Sequence, residues 1–257
     1  RIGGAGVLSR KDRRRWAARE RAFPDAWRTT LEETVPLYSW LPLQDREELH
    51  GHIQVLLDEK HFEGAGGFEM TERVELIVAA QAAVLLLHRE TGYFPKLVSV
   101  LVYPGEYAVK EELANDDGFV EEIEEERSGE SWQTGALVLS WEEIERDLAD
   151  GLQNVVLHEF AHQLDAESGE MNGAPILADR DLRRRWAEAM SDAYERLVDA
   201  ADRGEETFLD PYGAEDPAEF FAVVTEAFFL EPRDLEAEEP AVYAVLRDYY
   251  RQDPARW

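Results

Sequence analysis

The sequence predicts one α+β domain, mostly helical, with a small mixed β-sheet. Three observations carry this expectation. Apolar residues recur at helical spacing through most of the 257 residues, and only two short runs are rich in branched side chains. Neither an internal repeat nor a Gly/Pro/Ser-rich linker divides the chain.

The elements follow in order. Asp45 and Glu48 mark a helix start, and Leu49, Ile53, Leu56 and Leu57 share its apolar face. Thr71 opens a second helix running towards Arg89, closed by Thr91-Gly92 and Pro95. Within it lies the longest apolar stretch, Leu76 to Leu87, interrupted by Gln81. That is too short to span a bilayer and reads as a buried helix. Leu97 to Tyr103 (LVSVLVY), bounded by Pro95 and Pro104, and Gly135 to Ser140 (GALVLS) read as strands. Helices then take over at about 141–149, 152–166, 181–201, 218–230 and 240–251, punctuated by Gly151, Gly169 and Gly173.

Charge sets limits on partners. Asp and Glu number 56 against 27 Lys and Arg, a formal net charge of −29. A surface this negative repels phosphate backbones, so direct nucleic-acid binding is not expected. Residues 1–21 run the other way, with eight basic residues against Asp12 and Glu20, which leaves −35 on the remainder. Residues 1–24 therefore read as a basic, poorly ordered N-terminal arm ahead of a single domain over 25–257. No apolar stretch follows the basic cluster, so no secretory signal is read, and the expected location is the cytoplasm, without membrane attachment. The acidic run from Glu111 to Glu126 lacks the alternating ligands and turn glycine of a calcium loop and reads as solvated.

Lysine is scarce, at Lys11, Lys60, Lys96 and Lys110, and acid-rich, lysine-poor surfaces suit concentrated salt, where self-repulsion is screened within about 3 Å at 1 M. A salt-adapted protein should show a denaturation midpoint that rises from low to molar salt; a flat or falling midpoint leaves only an ordinary acidic surface.

The absence of cysteine excludes disulfides, thiolate metal sites and cysteine nucleophiles. Chemistry instead concentrates in Val155 to Asp165 (VVLHEFAHQLD), an H-E-x-x-H inside an apolar helical run. His158 and His162, four apart, project from one face and can reach one metal ion, while Glu159 sits beside the first ligand as a proton acceptor. A third ligand must then be His, Asp or Glu. His50, His52, His61 and His88 all precede the motif and read as surface or capping residues, with His50 and His52 on the polar part of a helix and His61 and His88 at helix ends. Downstream, Asp216-Pro217 starts a helix with Glu219 in its first turn, either as a ligand or as a capping-box carboxylate.

The stretches SGESWQTGALVLSW (128–141), LHEFAHQLD (157–165), YGAEDPAEFFA (212–222) and TEAFF (225–229) resemble the Mlc titration factor A family of zinc metallopeptidases. That family is in turn similar to the peptidase domain of lethal-factor-type toxins. Weaker similarity runs from about Trp27 to Gln252-Asp253-Pro254, leaving out the basic arm. The resemblance implies a zincin-like fold with one catalytic Zn2+ held by His158, His162 and Glu219. It also implies that Glu159 is the catalytic base and that Tyr212, otherwise readable as a packing aromatic, donates a hydrogen bond at the metal site. The family takes its name from binding and inactivating Mlc, a transcriptional repressor of sugar uptake. The resemblance thus implies a peptide or protein substrate and, alternatively, a regulatory role in sequestering an Mlc-like repressor.

Two more carboxylates stand at helical spacing from these residues. Asp165, three after His162, either orients a ligand imidazole or is a solvated residue near the helix end; Glu226, two turns after Glu219, has the same choice.

Overall fold

The apolar stretch around Gln81 becomes the centre of the molecule. In the computed structural model, which describes residues 9–105 and 135–257, the acidic run 111–126 lies outside the described residues. Before the centre come α1 (Arg10–Arg19), α2 (Asp25–Thr34), α3 (Pro36–Trp40), α4 (Leu43–Glu59) and a short strand β1 (His61–Gly64). The central helix is α5 (Glu72–Val84), started by Thr71 as its side chain accepts the Val74 N–H at 3.3 Å. Every residue from Leu76 to Leu87 is buried, so α5 is apolar all round because it is packed all round.

Strands β2 (Ser99–Tyr103) and β3 (Ala136–Ser140) complete the sheet, in the order β1-β2-β3. Both pairings are parallel, with His61 opposite Ser99 and Ser99 opposite Ala136. The expected mixed sheet is therefore corrected to a parallel one among the described residues. Strands β1 and β2 are joined through α5, a crossover rather than a hairpin, and a crossover brings the second strand back parallel. Strand β1 escapes a sequence reading because it has four residues, HFEG, none of them fully buried.

The chain continues with α6 (Trp141–Asp150), α7 (Val155–Ala166), α8 (Arg180–Asp202), a 3₁₀ turn at Pro211–Ala214, α9 (Pro217–Leu230), α10 (Pro232–Glu238) and α11 (Pro240–Tyr250). Phe220, Phe221, Phe228 and Phe229 of α9 are buried together, tying it to α11 through ring contacts such as Phe228–Tyr250 at 5.6 Å. No helix among the described residues is long and apolar enough to cross a membrane.

Part of the basic arm is ordered. Arg10–Arg19 form α1, opened by a reciprocal capping box between Ser9 and Asp12. Charge composition suggested otherwise, but Arg15 finds a specific acceptor: its guanidinium makes two bonds to Glu59, at 2.7 and 2.8 Å, and a third to the Gly92 carbonyl. It also lies over the Tyr93 ring.

His50 and His52 are likewise inside, not on a polar face, because aromatic partners from neighbouring segments enclose them. His50 stacks on Phe23 with centroids 3.8 Å apart and bonds the Tyr38 hydroxyl, and His52 bonds the Tyr93 hydroxyl. Burial, reinforced by Arg28 and Arg46, pulls His50 down to about 4. A histidine depressed below its unfolded value is protonated first in the unfolded chain, so its stabilisation is full above about 6.5 and is lost as pH falls towards 4. Chemical denaturation should therefore lose about 3 kcal/mol between those limits from this site, and the His50→Gln variant should show a correspondingly shallower acid slope. An unchanged slope would remove His50 from the account.

Candidate metal centre

Helix α7 needs partners for its first N–H groups, and supplying them builds the site. The Asn154 side chain caps the Leu157 N–H at 2.9 Å and donates to Gln81 of α5 at 2.7 Å. Asp147 of α6 accepts the Val155 N–H at 2.8 Å. Glu226 of α9 accepts the Asn154 N–H at 2.6 Å through Oε2. The polar interruption in the central helix, the N-cap and a carboxylate two turns into α9 thus hold the start of α7 in one place.

Helix α9 begins as its sequence suggests, with Asp216 capping the Ala218 and Glu219 N–H groups and Pro217 at the first helical position. The two readings left open for Glu219 then separate. Its Oε2 stands 3.0 Å from His158 Nε2 and 3.4 Å from His162 Nε2, and the two Nε2 atoms are 3.2 Å apart. Three donor atoms from two helices meet at one point.

The protonation pattern shows what that point requires. Glu226 Oε1 lies 2.8 Å from His158 Nδ1, and a carboxylate there takes an N–H. In the neutral imidazole the proton is then on Nδ1, so Nε2 turns a lone pair towards the Glu219 carboxylate and the other histidine. Lone pairs facing one another at 3 Å are tolerable only around a cation. Burial works against a charged His158, but the hydrogen bonds to Glu219 and Glu226 outweigh it and raise it to about 10. Burial likewise acts on Glu219, yet the two histidines hold it down at about 2. A metal ion satisfies the same atoms without the proton. Ligand atoms around a tetrahedral zinc ion, each about 2.0–2.1 Å from it, stand about 3.3 Å apart, and the observed separations bracket that value. Among the described residues, these three form a group able to hold a metal ion.

The chain matches the model of the glucose-regulated metallo-peptidase M90 family over residues 9–251. It belongs to the M90 family. The match begins at residue 9, so α1 is part of what the family shares rather than an appendage. An uncharacterized protein of Synechocystis is 41% identical over 91% of this chain and 86% of its own length. Proteins called Mlc titration factor A from Pectobacterium atrosepticum and Yersinia pestis are 32% and 33% identical over 89% of this chain and 86% and 84% of theirs. Membership of a metallo-peptidase family implies a metal ion, and the donor set fits one.

The other residues that the sequence singles out lie on α7 and in the 3₁₀ turn before α9. Glu159 follows His158 on α7, half-buried, and burial raises its carboxyl while the two histidines partly offset this. Tyr212, in the 3₁₀ turn, is 46% exposed, its ring centroid 6.0 Å from that of His158. Burial and the nearby carboxylates of Glu219, Glu215 and Glu159 raise its hydroxyl above the ordinary tyrosine value, so at neutral pH it remains a donor. Asp165 is fully buried, and its Oδ2 accepts the Gly173 N–H at 2.7 Å. Sequence reasoning does not bring Asp147 or Asn154 to the site, and it reads Gln81 only as a polar break in the apolar stretch. Asn154, an N-cap type directly before an apolar helix, was the one with a readable signal.

Proposed function

We propose that this chain is a peptidase that hydrolyses peptide bonds with one zinc ion held by His158, His162 and Glu219. The observation that carries the reading is the set of three mutually facing donor atoms, 3.0–3.4 Å apart, which needs a cation. A zinc ion bound there supplies Lewis acidity, polarising a carbonyl and lowering the pKa of a bound water to about 7.

The protein's own groups do the rest. Glu226 holds the Nδ1 proton of His158, which keeps the Nε2 lone pair directed inward. Glu159, whose half-buried carboxyl is raised by desolvation and so is a better base than a fully exposed one, accepts a proton from the attacking water. It takes that proton as the new C–O bond forms and returns it to the departing nitrogen as the C–N bond breaks. The Tyr212 hydroxyl donates to the oxygen on which negative charge develops, a contribution of about 3 kcal/mol for such donors.

A second reading follows from what the relatives are called. A chain 32–33% identical to proteins called Mlc titration factor A is also a candidate to bind and sequester an Mlc-like transcriptional repressor, with hydrolysis secondary. Metal analysis with peptidase assays tests the first reading. The purified protein should carry close to one zinc per chain, lose peptide hydrolysis to a chelator and regain it on zinc addition. A protein that hydrolyses peptides equally well after complete metal removal overturns it.

A further inference from the structure

Asp165 was expected either to orient a ligand imidazole or to sit in solvent at the end of its helix; its surroundings assign it another task. It is buried at 0% exposure, one turn past His162, and its Oδ2 accepts the backbone N–H of Gly173 at 2.7 Å. Gly173 has φ +73, and a Cβ there would come within 2.2 Å of the Pro217 carbonyl oxygen. The loop following the metal helix is therefore pressed directly against the first residue of α9, two positions before Glu219. On its other side the Gly173 carbonyl accepts the Trp186 Nε1–H at 3.0 Å, and the Trp186 ring packs 5.6 Å from Phe221, two positions after Glu219. The Asp165–Gly173 contact thus meets α9 on both sides of the third ligand.

We infer that Asp165 is a positioning residue that sets the separation of the two ligand-bearing helices: through Gly173 it holds the α9 start, and with it Glu219, at metal-binding distance from His158 and His162. The inference rests on the metal-site reading above. The physical reason is geometric. His158 and His162 share one helix and keep their spacing by themselves, whereas Glu219 reaches them from a second helix, 57 residues after His162, so its approach depends on tertiary contacts. A ligand displaced by a fraction of an ångström leaves the narrow range that a small tetrahedral ion accepts. Glycine at 173 serves the same end, since any side chain there would push the Pro217 carbonyl away.

The test is zinc affinity of the folded metal-free protein, measured against a competing chromophoric chelator at a temperature well below unfolding. Asp165→Ala should weaken zinc binding about 10- to 100-fold, the range found when groups supporting metal ligands are removed. Asp165→Asn, which keeps one acceptor for the Gly173 N–H, should restore part of that loss. Trp186→Phe keeps the ring packing but removes the donor to Gly173, and should weaken zinc binding by a smaller factor. In the double variant Asp165→Ala/Gly173→Ala the effects on affinity should be less than multiplicative, because both act through one contact. A purely structural carboxylate would lower the unfolding temperature of Asp165→Ala and leave its zinc affinity at the wild-type value; that result overturns the inference. If Asp165→Ala does not fold, Asp165→Asn and Trp186→Phe decide, and wild-type affinity in both is equally fatal. A wild-type protein that binds no zinc refutes the metal-site reading instead, so the two failures are distinct.

Discussion

Glu159→Gln should lower kcat/KM for peptide hydrolysis by about 10²- to 10⁴-fold, the usual contribution of a positioned general base, while zinc content stays at the wild-type stoichiometry. The amide has the shape of the carboxylate but cannot accept the proton of the attacking water. Metal content should hold because the three facing donor atoms belong to His158, His162 and Glu219. Stability gives an independent readout. The folded-state carboxyl of Glu159 is raised by burial, so folding is penalised once pH climbs above the unfolded carboxyl value, and a neutral amide avoids that penalty. The metal-free variant should accordingly unfold at the same temperature as wild type or higher at neutral pH. Activity within about tenfold of wild type, with zinc bound, removes Glu159 from the role of base. The same variant separates the two proposed functions. Sequestering a repressor involves no proton transfer, so Glu159→Gln should bind an Mlc-like partner as wild type does while its hydrolysis falls by the factor given above.

What the sequence made legible follows from how local each signal is. His158, Glu159 and His162 lie within one turn of one helix, so their relation is fixed by helical geometry alone. Glu219 was ambiguous because a first-turn carboxylate serves a cap as readily as a metal; only the approach of α9 to α7 turns it towards the histidines. The helices with apolar stripes, α5, α7, α8, α9 and α11, were recognisable, whereas α1 was hidden by its arginines and β1 by its four-residue length. The burial of His50 and His52 depends on Phe23, Tyr38 and Tyr93, residues distant in sequence that no periodicity connects to α4. Asp147 and Gln81 support α7 from two other helices, and a single chain offers no local sign of that.

Glu219 and Glu226 share a helix and both touch His158, so comparing their variants tells a ligand from the group behind it. Glu219→Ala should weaken zinc binding by about 10²- to 10³-fold: structural zinc sites bind with about 10–16 kcal/mol over four ligands, or about 2.5–4 kcal/mol for each. Glu226→Gln should weaken it by at most about 10- to 100-fold, the scale of a lost supporting contact, and by how much depends on which of its two bonds the amide keeps. The reason lies in what an amide can do between two donors. Glu226 accepts from His158 Nδ1 with one oxygen and from the Asn154 N–H with the other, at 2.8 and 2.6 Å. Glutamine has one acceptor oxygen and one NH2, so one of those N–H groups must face a donor. If the oxygen stays on His158, the start of α7 loses its tie to α9, and the unfolding temperature falls with little change in affinity. If it stays on Asn154, His158 loses its tautomeric hold and affinity falls with little change in stability. Affinity and unfolding temperature measured together therefore report which bond the amide keeps. A loss in Glu226→Gln as large as in Glu219→Ala would instead make Glu226 a ligand in its own right, and the triad would have to be redrawn around it.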